Sequence, residues 1–338
     1  MKILVTGSTG FIGSYFIPML LHQGHTVKLL VRNEEKARKL FGNTCDYHIG
    51  DITDRSSLKG CCDGIDIVFH LVAKSGNDLP TKENFEIFRK INVEGTENII
   101  AECTNVKKFI YVSSTAAMGL VKENPISEKS KCNPELPYQV SKYEAENLIR
   151  KKCKDNFPGI IVRPSKVYGV NETNYTYLTL AKLVKKGFFL KIGNGHNYTS
   201  NIYVHDFARF LVCLVDNGRI GETYIVSSDK SIDFIESGKI IADELGIQLR
   251  VVKISPYIML MASSILERIF TILGRKPVVT RRNIQMTLQD RVYDVSKVKR
   301  EVGFTPEVSM EEGIRKVIRW YKKLSLIHIS EPTRLRCI

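Results

Sequence analysis

Apolar residues fall along this chain in short blocks separated by stretches of helical spacing, and the two alternate from residue 2 to about residue 165. Lys2 to Val5, Thr26 to Val31, Ile67 to Leu71, Lys108 to Ser113 and Gly159 to Arg163 read as strands. Phe11 to Gln23, Asn92 to Cys103 and Tyr138 to Cys153 read as helices between them. Such alternation predicts an α/β fold, a doubly wound parallel sheet covered on both faces. After Tyr168 the pattern turns irregular. A helix is expected near Tyr177 to Lys186, a return to the sheet near Ile202 to His205, and a further strand at Tyr224 to Val226. Residues 1–167, with 201–227 returning to them, therefore form one domain. Residues 168–200 and 228–324 form a smaller, discontinuous α/β domain.

The first strand runs into Thr6-Gly7-Ser-Thr-Gly10-Phe11-Ile12-Gly13 and then a helix. Glycines spaced by two residues let backbone pass close to a pyrophosphate, and the helix start offers unpaired N–H groups and partial positive charge. The spacing departs from G-x-G-x-x-G, but strand, glycines and helix in this order favour a bound dinucleotide over a bare turn. Tyr138 and Lys142 lie four apart, on one face of one helical turn, where an ammonium can draw a phenol down from its ordinary value near ~10. The strand Phe109 to Val112 ends in hydroxyls at Ser113, Ser114 and Thr115.

Thr6-Gly7-x-x-Gly10-x-x-Gly13, Asp51-Ile52, His70-Leu-Val-Ala73, Asn92-Val-Glu-Gly-Thr96, Ser113-Ser114, Tyr138-x-x-x-Lys142 and Arg163-Pro164-x-x-Val-Tyr168-Gly169 occur in this order. Together they resemble the extended short-chain dehydrogenase/reductase family, of the epimerase/dehydratase type. The resemblance continues through Tyr203 to Asp206, Gly221 to Tyr224, Tyr293 to Lys297, Gly303 to Pro306 and Trp320-Tyr321. It implies a Rossmann-type cofactor domain and a smaller substrate domain. It also implies that Tyr138 passes the proton at the substrate oxygen, Lys142 lowers its pKa and holds the nicotinamide ribose, and Ser114 binds the same oxygen. Ser113 is the alternative to Ser114, since neighbouring strand residues face opposite ways. Gly7, Gly10, Phe11, Ile12 and Gly13 are placed at the pyrophosphate, Asp51 and Ile52 at the adenine, Ala73 on the cleft floor and Pro164 beside the nicotinamide. Lys74, which departs from the small residue usual there, and Tyr168 are candidate substrate contacts. His205-Asp206 is read as structural.

At the end of the second strand Arg32 stands where NAD enzymes place a ribose-binding carboxylate, so NADP(H) is favoured over NAD(H). No metal is expected. Thr115-Ala116-Ala117 lacks the acidic residues that family dehydratases carry there, which argues against elimination. An NAD(P)-dependent alcohol/ketone oxidoreductase of the hydroxysteroid-dehydrogenase/flavonol-reductase branch is the reading. A nucleotide-sugar epimerase is the alternative, with a catalytically silent cofactor-binding regulator behind both.

Charge and cysteine usage narrow the setting. The net charge of +14 over 338 residues is scattered in small groups on helix faces, without a nucleic-acid motif. The eight cysteines show no metal spacing, and the first strand begins too early for a signal peptide, so a reducing, cytoplasmic location is expected. The apolar segment 257–273 is too short to span a bilayer. It is read as a substrate-covering or packing helix, with interfacial membrane contact the less favoured role; a homodimer is compatible with the chain. Residues 325–338 lack periodicity and resemble translated adapter sequence, so they are expected to be a non-native tail without regular structure, the natural C-terminus being lost.

Overall fold

A computed structural model describes residues 1–338 except 77, 173–175, 188, 194–196, 274–280, 282–283, 286–287 and 331–338. The first unit comprises Met1–Val167, Val204–Ser227 and Tyr293–Glu307. Its strands are β1 (Lys2–Thr6), β2 (Thr26–Val31), β3 (Asp46–Ile49), β4 (Ile67–His70), β5 (Lys108–Val112) and β6 (Gly159–Pro164). β7 (Val167–Tyr168) follows, then β8 (Phe189–Ile192), β9 (Tyr198–Thr199), β10 (Ile202–Tyr203) and β11 (Thr223–Val226). Seven strands form one sheet in the order β11-β6-β5-β4-β1-β2-β3, all parallel, with Lys2 opposite Thr26 and Ile3 opposite Ile67. This is a Rossmann-type doubly wound sheet, its strand order reversing beside β1.

Helices α1 (Phe11–His22), α2 (Glu34–Phe41), α3 (Lys82–Arg89), α4 (Gly95–Glu102), α5 (Pro137–Lys154), α6 (Thr176–Lys185) and α7 (Val204–Asp216) follow in chain order. α1 packs on α7. α4 and α5 share a core in which Leu4, Leu58, Val68, Phe109, Ala145 and Ile149 are fully buried. Burying a side chain such as Phe109 contributes roughly 1.5–3 kcal/mol. Ile202 to His205 was expected to re-enter the sheet; instead a two-residue strand outside it ends at Tyr203, and Val204 already starts α7. Nine of its thirteen residues are buried, which favours helix over strand. Between α3 and α4 the chain makes a π-turn, Lys90–Glu94, where a regular helix was expected from Asn92. Residues 293–307, placed by sequence in the smaller domain, belong to the first unit. Tyr293 donates to Thr115 Oγ1 at 3.1 Å and Lys297 Nζ pairs with Glu222 at 2.7 Å.

The second unit, Tyr168–Tyr203, Ser228–Val292 and Val308–Ile338, holds β12 (Ile232–Asp233), α8 (Phe234–Leu245), β13 (Val251–Ile254), α9 (Pro256–Ile272) and a C-terminal helix, Met310–Ser330. β13 pairs in parallel with β8, and β12 runs antiparallel to β9. Its core gathers Tyr168, Ala181, Phe189, Ile241, Ile314 and Ile318. The C-terminal helix continues through Ser330, so residues 325–330 are helical against expectation. A helix already anchored by Ile314, Val317 and Ile318 propagates past its buried turns because extension needs no new nucleation. Residues 331–338 lie outside the described set. α9 is also not packed as expected, since much of its apolar surface is exposed.

Candidate active site

The glycine loop is held closed by its own backbone. Gly7 has φ +71°, and a Cβ there would sit 2.7 Å from the Val72 amide nitrogen. A Cβ on Gly13 would collide with the Ser8 carbonyl, so α1 begins tight against the loop. Gly10 caps α1 without any side-chain hydrogen bond, and the first turn carries no acid. The N–H groups of Phe11, Ile12 and Gly13 are those a helix leaves without intrahelical partners. Ser8 Oγ nearby is buried with no partner. An anionic pyrophosphate suits this donor set.

Beside the loop lies a cavity of about 510 Å³ whose walls include Gly7, Arg32, Asp51, Ile52, Ala73 and Lys74. Expected cofactor residues from β1, from the end of β2 and from the turns after β3 and β4 thus meet around one space. Gly10 to Gly13, at the start of α1, are not among its walls, and neither are Ser114, Tyr138, Lys142 and Pro164. Arg32 Nη1 lies 3.7 Å from Asp51 Oδ2, so an acid does stand beside it, contributed from beyond β3 rather than by β2. Asp51 is held below the usual carboxylate range first by the Thr53 amide, then by its hydroxyl and by Arg32, against the opposing effect of burial.

The hydroxyls after β5 divide as alternation requires. Ser113 Oγ donates to Glu146 Oε1 at 2.6 Å, inside the protein. Ser114 instead caps the turn Thr115–Met118, accepting from the Ala116 amide at 3.1 Å, and this turn packs against α5, which carries the Tyr138 phenol. Burial pushes that phenol above its ordinary value and Ser114 draws it back. Lys142 behaves otherwise than its spacing suggested. Its Nζ donates to the Val112 carbonyl at 2.7 Å and lies 4.2 Å from the centre of the Tyr111 ring. Burial lowers its pKa to about 7 while Glu146 opposes the shift. Ser114, not Lys142, is the group that lowers Tyr138.

Two buried residues that sequence reasoning left without a role join these parts. Asn92, on the π-turn, accepts from the Lys74 amide at 2.8 Å and donates to the Lys74 carbonyl and to Ser141 Oγ, both at 2.9 Å. It thereby ties the cavity wall to α5. A π-turn at a functional site is a common device for turning one side chain inward. His70 lies between Thr6 Oγ1 (2.9 Å from Nδ1) and Thr96 Oγ1 (3.1 Å from Nε2). Because Thr96 gives its proton to the Asn92 carbonyl at 2.7 Å, it must accept from Nε2–H. Nδ1 then accepts from Thr6. Burial, with Lys142 nearby, lowers this histidine to about 3, so it is neutral at physiological pH.

Tyr168, expected at the substrate, is fully buried among Tyr177 and Tyr203, and its hydroxyl donates to the Met310 carbonyl at 3.3 Å. It is a core residue, with Gly313 small enough to admit it. Lys74 lines the cavity, with Nζ 5.0 Å from the Phe88 ring centre. His205 is exposed. Asp206 is fully buried, pairing with Arg209 at 2.9 Å and accepting from the Glu307 amide at 3.1 Å. No group of metal-binding side chains occurs among the described residues.

The NAD dependent epimerase/dehydratase family model matches residues 3–227, two thirds of the chain and nearly all of the first unit. The protein belongs to this family. It is thus an extended short-chain dehydrogenase/reductase, in a family of NAD-dependent epimerases, dehydratases and reductases. The chain is 26% identical over 359 residues to 3beta-hydroxysteroid-dehydrogenase/decarboxylase isoform 2 of Arabidopsis thaliana, covering 95% of this chain and 62% of that protein. It is 25% identical over 341 residues to N-acetyl-alpha-D-glucosaminyl-diphospho-ditrans,octacis-undecaprenol 4-epimerase of Escherichia coli O157:H7, covering 98% and 99%. The crystal structure of UDP-glucuronic acid 4-epimerase from Bacillus cereus in complex with NAD superposes with a TM-score of 0.75 at 22% identity, covering 96% of this chain and 99% of that one.

Proposed function

We propose that this family member is an oxidoreductase interconverting a secondary alcohol and a ketone, with Ser114, Tyr138 and Lys142 as its proton-handling residues. The observation that carries the reading is the meeting of α5 with the end of β5: Lys142, four residues after Tyr138 on α5, is buried with its Nζ on the Val112 carbonyl, two residues before Ser114. A nicotinamide dinucleotide, when bound, gives or takes the hydride at the substrate carbon. Tyr138, kept protonated by burial, donates its proton to the carbonyl oxygen in the reductive direction. Ser114 holds that oxygen by a second hydrogen bond. Lys142, near the midpoint of its titration at neutral pH, completes the polar floor and holds the nicotinamide ribose. Arg32 at the cavity wall favours the 2′-phosphate of NADP(H), whose charge would outcompete the long contact to Asp51.

The turn after Ser114 supports redox chemistry over elimination. Thr115 is occupied by the Tyr293 hydroxyl, and Ala116 and Ala117 supply no acid. Epimerisation is the second reading, because of the full-length similarity to the undecaprenol-linked sugar epimerase. A panel of nucleotide sugars, sterols and simple ketones, followed by nicotinamide absorbance and product analysis, separates the two. Net oxidation or reduction supports the proposal; an inverted sugar with no net cofactor change replaces it. Tyr138→Phe should lower turnover by about 10²–10⁴-fold while cofactor still binds, and full turnover in that variant would remove the assigned proton donor.

A further inference from the structure

Six large side chains, Tyr257, Ile258, Met261, Ile265, Ile269 and Ile272, are 46–84% exposed along α9. At 100° per residue they share an arc about 120° wide, so α9 presents one continuous apolar stripe about 25 Å long. Ser263, on the opposite side, is 2% exposed, so that side is covered and the apolar side faces outward. Exposed Val251 and Val252 on β13 lead directly into it. A stripe of this kind marks a contact surface.

Charge indicates the partner. Between Ile247 and Arg281 the sequence holds six basic residues and one acid, Glu267. Arg250, Lys253, Arg268 and Arg281 are exposed, and Arg268 projects within the apolar arc itself. A second copy of this chain would bring two strongly basic segments together, whereas an acidic bilayer surface neutralises them. Among the described residues no helix is long and apolar enough to cross a membrane, which leaves α9 lying in the interface. Tyr257, 71% exposed, starts the stripe with a ring suited to headgroup depth.

We infer that α9 docks this protein onto anionic lipid bilayers, its apolar stripe inserted parallel to the surface and its basic neighbours on the headgroups. This goes beyond the proposed reaction and does not depend on it. The test is flotation of the full chain with phosphatidylcholine vesicles, with and without one third phosphatidylglycerol, at low and high salt. Wild type should float with the anionic vesicles at low salt and be released by high salt. Ile265→Glu/Ile269→Glu should bind about tenfold or more weakly while keeping its circular dichroism spectrum and melting temperature, both sites being exposed. Flotation unaffected by that pair, or absent for wild type on anionic vesicles, overturns the inference. So does concentration-dependent dimerisation abolished by the same pair without vesicle binding, since the stripe would then be a contact between copies.

Discussion

Replacing Glu146 by glutamine tests whether the floor under the active site is as dry as it looks. Glu146 is fully buried on α5, one helical turn beyond Lys142. Its carboxylate accepts from Ser113 Oγ at 2.6 Å, Arg163 Nε and Nη2 at 2.9 and 2.6 Å, and Arg150 Nη2 at 2.8 Å. Burial pushes this carboxyl up, but Arg163 and then Arg150 and Ser113 hold it below its ordinary value. The amide offers one acceptor in place of two and turns N–H groups towards a guanidinium only 2% exposed. Breaking a buried ion pair from one side costs about 3–5 kcal/mol, a large part of the 5–15 kcal/mol that holds a typical domain together. Urea unfolding followed by circular dichroism should show the midpoint of the first unit lowered by about 1 M or more. Glu146→Leu/Arg163→Met, which removes both charges, should recover most of the loss. Loss of the negative charge also lowers Lys142 further, since Glu146 is what opposes its burial. The pH–rate limb belonging to Lys142 should therefore move to lower pH. A Glu146→Gln protein of wild-type stability would falsify the claim that water is excluded from this cluster.

Other expectations follow from the same geometry. Arg32→Asp should weaken NADP(H) binding about ten- to a hundredfold, the equivalent of one charge-assisted contact of about 1.5–3 kcal/mol, and shift preference towards NAD(H). An unchanged ratio in paired titrations would show Arg32 to be a surface residue. Lys142 has a folded value near 7 against an ordinary 10.5, so between those pH values the unfolded chain holds a proton the folded chain lacks. Its contribution makes stability rise with pH across that window. The stability difference between wild type and Lys142→Met should grow from pH 7 to 10 and vanish as a trend if the lysine is solvated. Gly7→Ala forces a side chain into φ +71° against the Val72 amide and should cost about 1–3 kcal/mol with loss of cofactor binding, read by calorimetry. A chain ending at Leu324 keeps Ile314, Val317 and Ile318 in place and should melt within a few degrees of the full chain; a collapse would show residues 325–338 to be part of the fold.

What could be read in advance was whatever the chain encodes locally. β1, β2, β4, β5 and β6 are apolar blocks that must be buried on both faces, and Gly13 is dictated by the Ser8 backbone five residues before it, whereas the space at Gly7 is closed by the distant Val72 backbone. β3 and α2 escaped notice because neither has an apolar signature. Asp46–Ile49 leaves its ends exposed, and Glu34–Phe41 buries only Ala37 and Phe41. α3 is similar, with Phe88 its only buried residue.

The harder cases are those where sequence fixes a face but not a destination. Tyr138 and Lys142 do share one side of α5, yet a four-carbon stem can turn either towards the phenol or back to β5. The Val112 carbonyl at the end of β5, together with the Tyr111 ring, decides for β5. Tyr168 carries the same ambiguity in reverse. Its motif suggests a site, but a hydroxyl satisfied by Met310 and a facing Gly313 make room for it in a core. Asn92 and His70 were visible only as members of motifs, because their work is tertiary: one links Lys74 to Ser141, 49 residues along the chain from Asn92, and the other links Thr6 to Thr96. α9 shows the opposite failure. Its periodicity promises a buried stripe, yet among the described residues six of its large side chains stay exposed, which is why an apolar helix beside a basic segment points beyond the fold to a surface.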